Sequence, residues 1–115
     1  MSVTIPDCIF CKIVTKEIPA NLIYEDDQVI ALKDIHPRAK VHLLLIPRIH
    51  VPSLAQLETK HEGLMSHMML LLPNLAHRQD LHRGFRIIIN TGKGGGQEID
   101  HLHMHLLGGP QLPGF

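Results

Sequence analysis

The stretch "HLHMHLLGG", residues 101–109, constrains this chain more than any other. Polar and apolar residues alternate along it, and a period of two belongs to a β-strand, whose successive side chains point to opposite faces. His101, His103 and His105 would then share one face, with neighbouring Cα atoms about 7 Å apart at about 3.3 Å rise per residue. Leu102, Met104 and Leu106 would share the other. Such a strand predicts a sheet with one face on a core and one on a cleft. Three co-facial imidazoles admit three readings: a metal cluster, covalent chemistry on a substrate, or a polar strand face. The last is the weakest, because an imidazole costs more to order and desolvate than Ser or Thr.

The rest of the chain reads as strands around one long helix. "NLIYEDD" and "VIALKDI" are short β-prone runs separated by "EDDQ", the pattern of a hairpin. "VHLLLIPR" is a third strand, "GFRIIINTG" a fourth and "HLHMHLLG" a fifth, while "HVPSLAQL" is a connection with a short helical turn. From about Thr59 to Gln79, Leu64, Met68, Leu71, Leu72 and Leu75 recur at spacings of three and four, which predicts an amphipathic helix. Pro73 lies inside it and should bend it. Asp7 is the expected N-cap of a short helix running to about Lys12–Val14. The expectation is an α+β chain: an antiparallel sheet of about five strands, a short N-terminal helix and one long helix. With 115 residues and no internal repeat or linker, residues 1–115 are expected to form a single domain.

Composition excludes several classes of partner. Hydrophobic residues make up 44% and charged residues 19%, as in globular chains, and aromatic residues only 3%, so the core must rest on Leu, Ile, Val and Met. Eleven basic residues balance eleven acidic ones, which argues against nucleic acid and against an anionic membrane surface. Any anionic ligand must be held by a local site. The run Leu64–Leu72 is interrupted by Ser66 and His67 and closed by Pro73, too short and polar to span a bilayer. "MSVTIPDCIF" has no basic region followed by an apolar block, so a cytoplasmic location is expected. Cys8 and Cys11 form a C-x-x-C, which in a reducing compartment reads as half a zinc site or a redox pair rather than a structural disulfide.

Directly before the histidines lies "NTGKGGGQE", with Gly92, Gly94, Gly95 and Gly96. It does not match a Walker loop and reads as a flexible loop whose backbone N–H groups can turn toward an anion. Its position suits a phosphate: one histidine attacks phosphorus while others neutralise the oxygens.

"QEIDHLHMHLLGG" resembles the His-x-His-x-His-x-x signature of the histidine triad (HIT) superfamily, specifically its Hint branch. "CIFCKIVTKEIPANLIYEDDQVIALKDIHPRAKVHLLLIPRIH" and "GFRIIINTGKGGGQ" are similar to that branch in look and order, so the resemblance covers roughly the whole chain. It implies a HIT-like, nucleotide-binding, homodimeric hydrolase or transferase with no organic cofactor. Such proteins act at the α-phosphate of nucleoside 5′-phosphoramidates, with a purine nucleotide of AMP or GMP type. His103 resembles the nucleophile, which would form a nucleotidyl-histidine that water then cleaves. His105 resembles its phosphate-binding partner and His42 a supporting imidazole. For the attack His103 must be neutral, with its other nitrogen donating to a carbonyl or similar acceptor. Asp34 and Ile35 resemble the residues that grip ribose and base, and Asn90, Gly96 and Gln97 match the phosphate loop. Glu98, also at the substrate, stands where the well-known eukaryotic members carry a small hydroxyl residue that helps the leaving group. "GGPQLPGF" lacks the tryptophan-containing tail that shapes their substrate choice.

A subset of the family completes the C-x-x-C with two histidines, and the matching positions are His50 and His101. The resemblance therefore implies a structural Zn²⁺ on Cys8, Cys11, His50 and His101, with no position left open for a substrate. Other readings are a hydrolase of dinucleoside polyphosphates or nucleotidyl esters, a metalloenzyme with its metal on the three histidines, and a nucleotide-binding adaptor with little turnover. His36, His61, His67, His77 and His82 are expected to be mostly solvated. The Leu64–Leu75 stripe is expected to be core or dimer face. The paired glycines 108 and 109 belong to the signature, but nothing in the sequence says why two are needed.

Overall fold

In the computed structural model, residues 4–114 are described. Five strands form one antiparallel sheet: β1 (Leu22–Glu25), β2 (Val29–Lys33), β3 (Val41–Pro47), β4 (Arg86–Ile88) and β5 (Met104–Gly108), in the order β1-β2-β3-β5-β4. Two helices pack on it, α1 (Ile9–Val14) and α2 (Glu62–Arg78). The expected α+β architecture is the one found.

The two faces of the sheet are covered unequally, and this makes the site. Side chains alternate along the central strands, so Leu43 and Leu45 of β3 join Val29, Ala31, Met104 and Leu106 on one face. There they meet Leu64, Met68, Leu72 and Leu75 of α2, a stripe that the helical spacing anticipates. On the opposite face Ile30, Leu32, Leu44 and Ile46 pack under Phe10, Cys11, Ile13 and Val14 of α1. A helix of six residues is about 9 Å long and cannot close that face. Because β3 is buried on both sides, it reads as a continuous apolar run broken only by His42.

Several local expectations are corrected. The N-cap of α1 is Cys8, whose Sγ accepts from the N–H of Cys11, so Asp7 lies one residue before the cap. The fourth strand shrinks to Arg86–Ile88, the part that pairs with β5. The fifth begins only at Met104: His101 sits in a bend, and the Leu102 N–H donates to the Val51 carbonyl, 2.7 Å, instead of to a neighbouring strand. Helix α2 runs on through Pro73. It ends where Asp80, at φ 60°, turns the chain left-handed and the Leu81 N–H donates to the Ala76 carbonyl, 3.0 Å. That turn presses Leu81 onto β5. A Cβ on Gly108 would stand 2.4 Å from Leu81 Cδ2, and one on Gly109 would stand 3.3 Å from Lys40 Cβ. The paired glycines are thus places of close approach.

Two of the histidines expected to be solvated are structural. His61 is buried and its Nδ1 accepts from the Glu58 N–H, 2.9 Å, in a capping box at the turn before α2. His67 on α2 reaches Asp26 Oδ2 at 2.6 Å and ties the helix to the β1–β2 turn. His36, His77 and His82 are exposed as expected.

Candidate active site

The part of the sheet left open beside α1 is a cleft of about 650 Å³. Its lining divides in two. Phe10, Ile13, Ile18, Leu32 and Leu44 make an apolar end, and Asp34, His42, Asn90, Gly96, His103 and His105 make a polar end. His101 is not on it.

The structure therefore divides the three histidines. His101 is fully buried at 0% exposure, behind the cleft and before the strand, which starts only at Met104. Phe10 of α1 packs edge-on against both His101 and His103, ring centroids 5.8 and 5.1 Å away, so all three histidines are on the α1 side of the sheet as expected. His103 and His105 remain side by side on the cleft, ring centroids 5.1 Å apart. His42 joins them from β3, its Nε2 2.9 Å from His105 Nδ1.

Hydrogen-bond partners assign the tautomers. His103 Nδ1 lies 2.7 Å from the His101 carbonyl, an atom that can only accept, so Nδ1 carries the proton and Nε2 keeps its lone pair. At His42, Nδ1 accepts from the Arg38 N–H at 3.0 Å, which places the proton on Nε2. That proton is donated to His105 Nδ1, leaving His105 with an N–H on Nε2. Burial is the main cause that lowers the pKa of His42, with the Asp34 carboxylate opposing it. His105 is pushed down to about 4, by burial first and then by the neighbouring His103 and His42. Both imidazoles are neutral at pH 7. Asp34 Oδ2, 3.3 Å from His42 Nε2, completes a cluster of two imidazoles and one carboxylate. A metal ion there would need the Nε2 lone pair of His42, and the Arg38 N–H on Nδ1 holds the proton at Nε2 instead. The cluster is a hydrogen-bond relay.

The glycine loop is more ordered in its bonding than its composition suggests. Lys93–Gly95 form one tight turn between Gly92 and Gly96, both at positive φ, 68° and 81°. Gln97 closes it: its Oε1 accepts from the Gly92 N–H at 2.8 Å, and its Nε2 donates to the Pro52 and Ile99 carbonyls, each at 2.8 Å. Asn90 Nδ2 donates to the Gly95 carbonyl across the loop, 2.8 Å. Gln97 is buried and off the cleft lining, so its side chain shapes the loop from behind, while Asn90, Gly96 and Glu98 face the cleft. On the facing loop Asp34 Oδ1 accepts from the His36 N–H, 2.8 Å, and Ile35 stands 84% exposed at the rim. Arg38, not singled out in the sequence, also lines the cleft. Its signal is weak because a loop arginine is ordinarily solvated.

Behind the cleft lie Cys8, Cys11, His50 and His101, each offering one donor atom, all within 4.8 Å of one another. His101 Nδ1 is 3.3 Å from Cys8 Sγ, 3.6 Å from Cys11 Sγ and 3.2 Å from His50 Nδ1, and Cys11 Sγ is 3.4 Å from His50 Nδ1. A tetrahedral zinc with ordinary bond lengths has N···N edges of about 3.3 Å and S···N edges of about 3.6 Å. The donor set fits that ion. His101 Nε2 donates to the Pro47 carbonyl at 2.8 Å, which leaves Nδ1 as the ligating atom. Burial lowers the His101 pKa to about 4 and raises the Cys11 thiol, as for donors kept from water.

Comparison with known proteins agrees with this geometry. Residues 7–113 match the family described as "Scavenger mRNA decapping enzyme C-term binding". The chain is 53% identical over 104 residues to Protein HitA of Neisseria gonorrhoeae, covering 90% of this chain and 97% of the relative. It is 41% identical over 107 residues to the purine nucleoside phosphoramidase of Escherichia coli K12, covering 92% and 90%. A crystal structure of a HIT family hydrolase from Legionella pneumophila superposes with a TM-score of 0.91 at 39% identity, covering 93% of this chain and 96% of that one. With its imidazole pair, glycine loop and sheet placed as described, the chain belongs to the histidine triad superfamily and is a hydrolase of that family.

Proposed function

We propose that this protein hydrolyses nucleoside 5′-phosphoramidates, of AMP or GMP type, through a nucleotidyl intermediate on His103. One observation carries the reading: the His101 carbonyl accepts a hydrogen bond from His103 Nδ1–H, so the Nε2 lone pair is available in the cleft. The base fits the apolar end of the cleft against Ile35, and Asp34 accepts from the ribose hydroxyls. The His105 Nε2–H meets a phosphate oxygen beside Gly96, while the Gly92, Gly95 and Gly96 N–H groups stay bonded within the turn and shape that wall of the cleft. His103 Nε2 forms a bond to phosphorus as the P–N bond to the leaving amine breaks, and the amine takes up a proton from solvent at the open cleft mouth. Water then attacks phosphorus, the P–N bond to His103 breaks, and the water proton returns to solvent. The balance is one water consumed, one nucleotide and one amine released. The similarity to the Escherichia coli phosphoramidase supports the substrate class.

Cys8, Cys11, His50 and His101 would hold a structural Zn²⁺, and when bound the ion supplies a cross-link between α1, the β3 exit and the β5 entry. A homodimer is part of the same reading: Leu70 on α2 stands 75% exposed, with Met69 and Phe85 also open, and β4 is an edge strand of the sheet.

The test replaces the nucleophile. His103→Ala should lower kcat/KM for an adenosine 5′-phosphoramidate by about 10³-fold or more while AMP still binds. A variant that turns over within tenfold of the parent would overturn the proposal, and an adaptor without turnover would show AMP binding and no hydrolysis in the parent either.

A further inference from the structure

Two opposite charges on the cleft lining take no part through their side chains in the imidazole relay. Arg38 Nη2 and Glu98 Oε1 lie 4.0 Å apart, with the two side chains 79% and 84% exposed. Their backbones are fixed from behind. The Arg38 N–H is held by His42 Nδ1, and Glu98 follows Gln97, whose amide is bonded inside the loop. The charged heads are therefore free to change partner while their positions in the cleft are not.

What could meet them follows from the division of the cleft, and the argument rests on the function proposed above. The apolar end suits a base, Asp34 a ribose, and the space beside His103 and His105 a phosphate. The group that departs from phosphorus then lies over what remains of the lining, where Glu98 and Arg38 stand. The other charged or titratable groups on that lining are Lys33, Asp34, His36, His42, His103 and His105. Lys33 and His36 carry no negative charge, and the Asp34 carboxylate is bonded to the His36 N–H and faces His42. Glu98 is left as the carboxylate available to the leaving group.

We propose that Glu98 and Arg38 form a leaving-group subsite that favours amines carrying a second, cationic group. Such an amine replaces Arg38 as the partner of Glu98, and an amine ending in a carboxylate is repelled by it. Glu98 is thus a specificity-determining residue, and Arg38 is its competitor.

Three adenosine 5′-phosphoramidates test this, with leaving amines of equal length ending in an ammonium, a methyl or a carboxylate. The readout is the ratio of kcat/KM between the ammonium and methyl substrates. Wild type should favour the ammonium by about 1.5- to fivefold, the effect of one exposed charge pair, and the ratio should fall toward one in high salt. Glu98→Gln should bring it to one or below, Glu98→Asp should keep part of it, and Arg38→Gln should raise it. Opposite movements in the two variants are not produced by a general loosening of the loop. A ratio equal in wild type and Glu98→Gln overturns the subsite. Absence of turnover of all three by wild type is a separate outcome, and it removes the proposed function and the subsite together.

Discussion

His101 serves through two atoms at once: its ring Nδ1 lies among two thiols and His50, and its carbonyl accepts the hydrogen bond from His103 Nδ1–H. The alternation of "HLHMH" points to a period-two strand, and the alternation of sides holds although the strand itself begins only at Met104. The Leu102 N–H bonds to the Val51 carbonyl before the strand begins, and His101 is buried among Cys8, Cys11 and His50 while His103 and His105 reach the cleft. The different duties were legible only through resemblance, because spacing along a chain does not report which carbonyl lies opposite a ring nitrogen. The paired glycines are the reverse case, silent in sequence and explained by packing. Gly108→Ala would drive its new Cβ into the Leu81 side chain and force that side chain to move, so a loss of roughly 1–3 kcal/mol is expected. Thermal or urea unfolding checks it, and an unchanged midpoint would contradict the packing account.

Among the elements, the tie between the β1–β2 turn and α2 was not foreseen, since Asp26 and His67 are 41 residues apart. Burial alone would raise the Asp26 pKa. The N–H groups of Gln28 and Val29, the Tyr24 hydroxyl and His67 outweigh it and hold the carboxyl down from the ordinary 3.8 to about 2. A depressed folded-state pKa gives stability that is fully present above about pH 4 and is lost as pH falls through about 2. Asp26→Asn should therefore lower stability at neutral pH by roughly 1–2 kcal/mol. It should also flatten the fall of the unfolding midpoint between pH 4 and pH 2. Equal acid slopes in parent and variant would contradict the pairing. The strands and α2 themselves were readable, because their apolar periods of two and of three to four survive in the packed faces. The glycine loop was not. Its composition suggests freedom, while a buried Gln97 closes it.

For the whole molecule, unequal cover of the two sheet faces is the source of the cleft: α2 closes one, and the short α1 leaves the other open at His42 and His105. The Cys8, Cys11, His50 and His101 cluster sits where α1 meets that sheet. About one zinc per chain is expected by metal analysis, lost in Cys8→Ser together with a lowered unfolding midpoint. Purified protein that is metal-free and equally stable would end the zinc proposal. Sedimentation should give two chains per particle, and a monomer at micromolar concentration would contradict the homodimer.

The central claim is that His103 Nε2 becomes bonded to phosphorus. Quenching a single turnover of a slow adenosine 5′-phosphoramidate in alkali and mapping peptides by mass should find one adenylyl group on the peptide containing His103. The adduct should be absent in His103→Ala and should decay as AMP appears. Full conversion of substrate to AMP with no adduct at any quench time would contradict the covalent route.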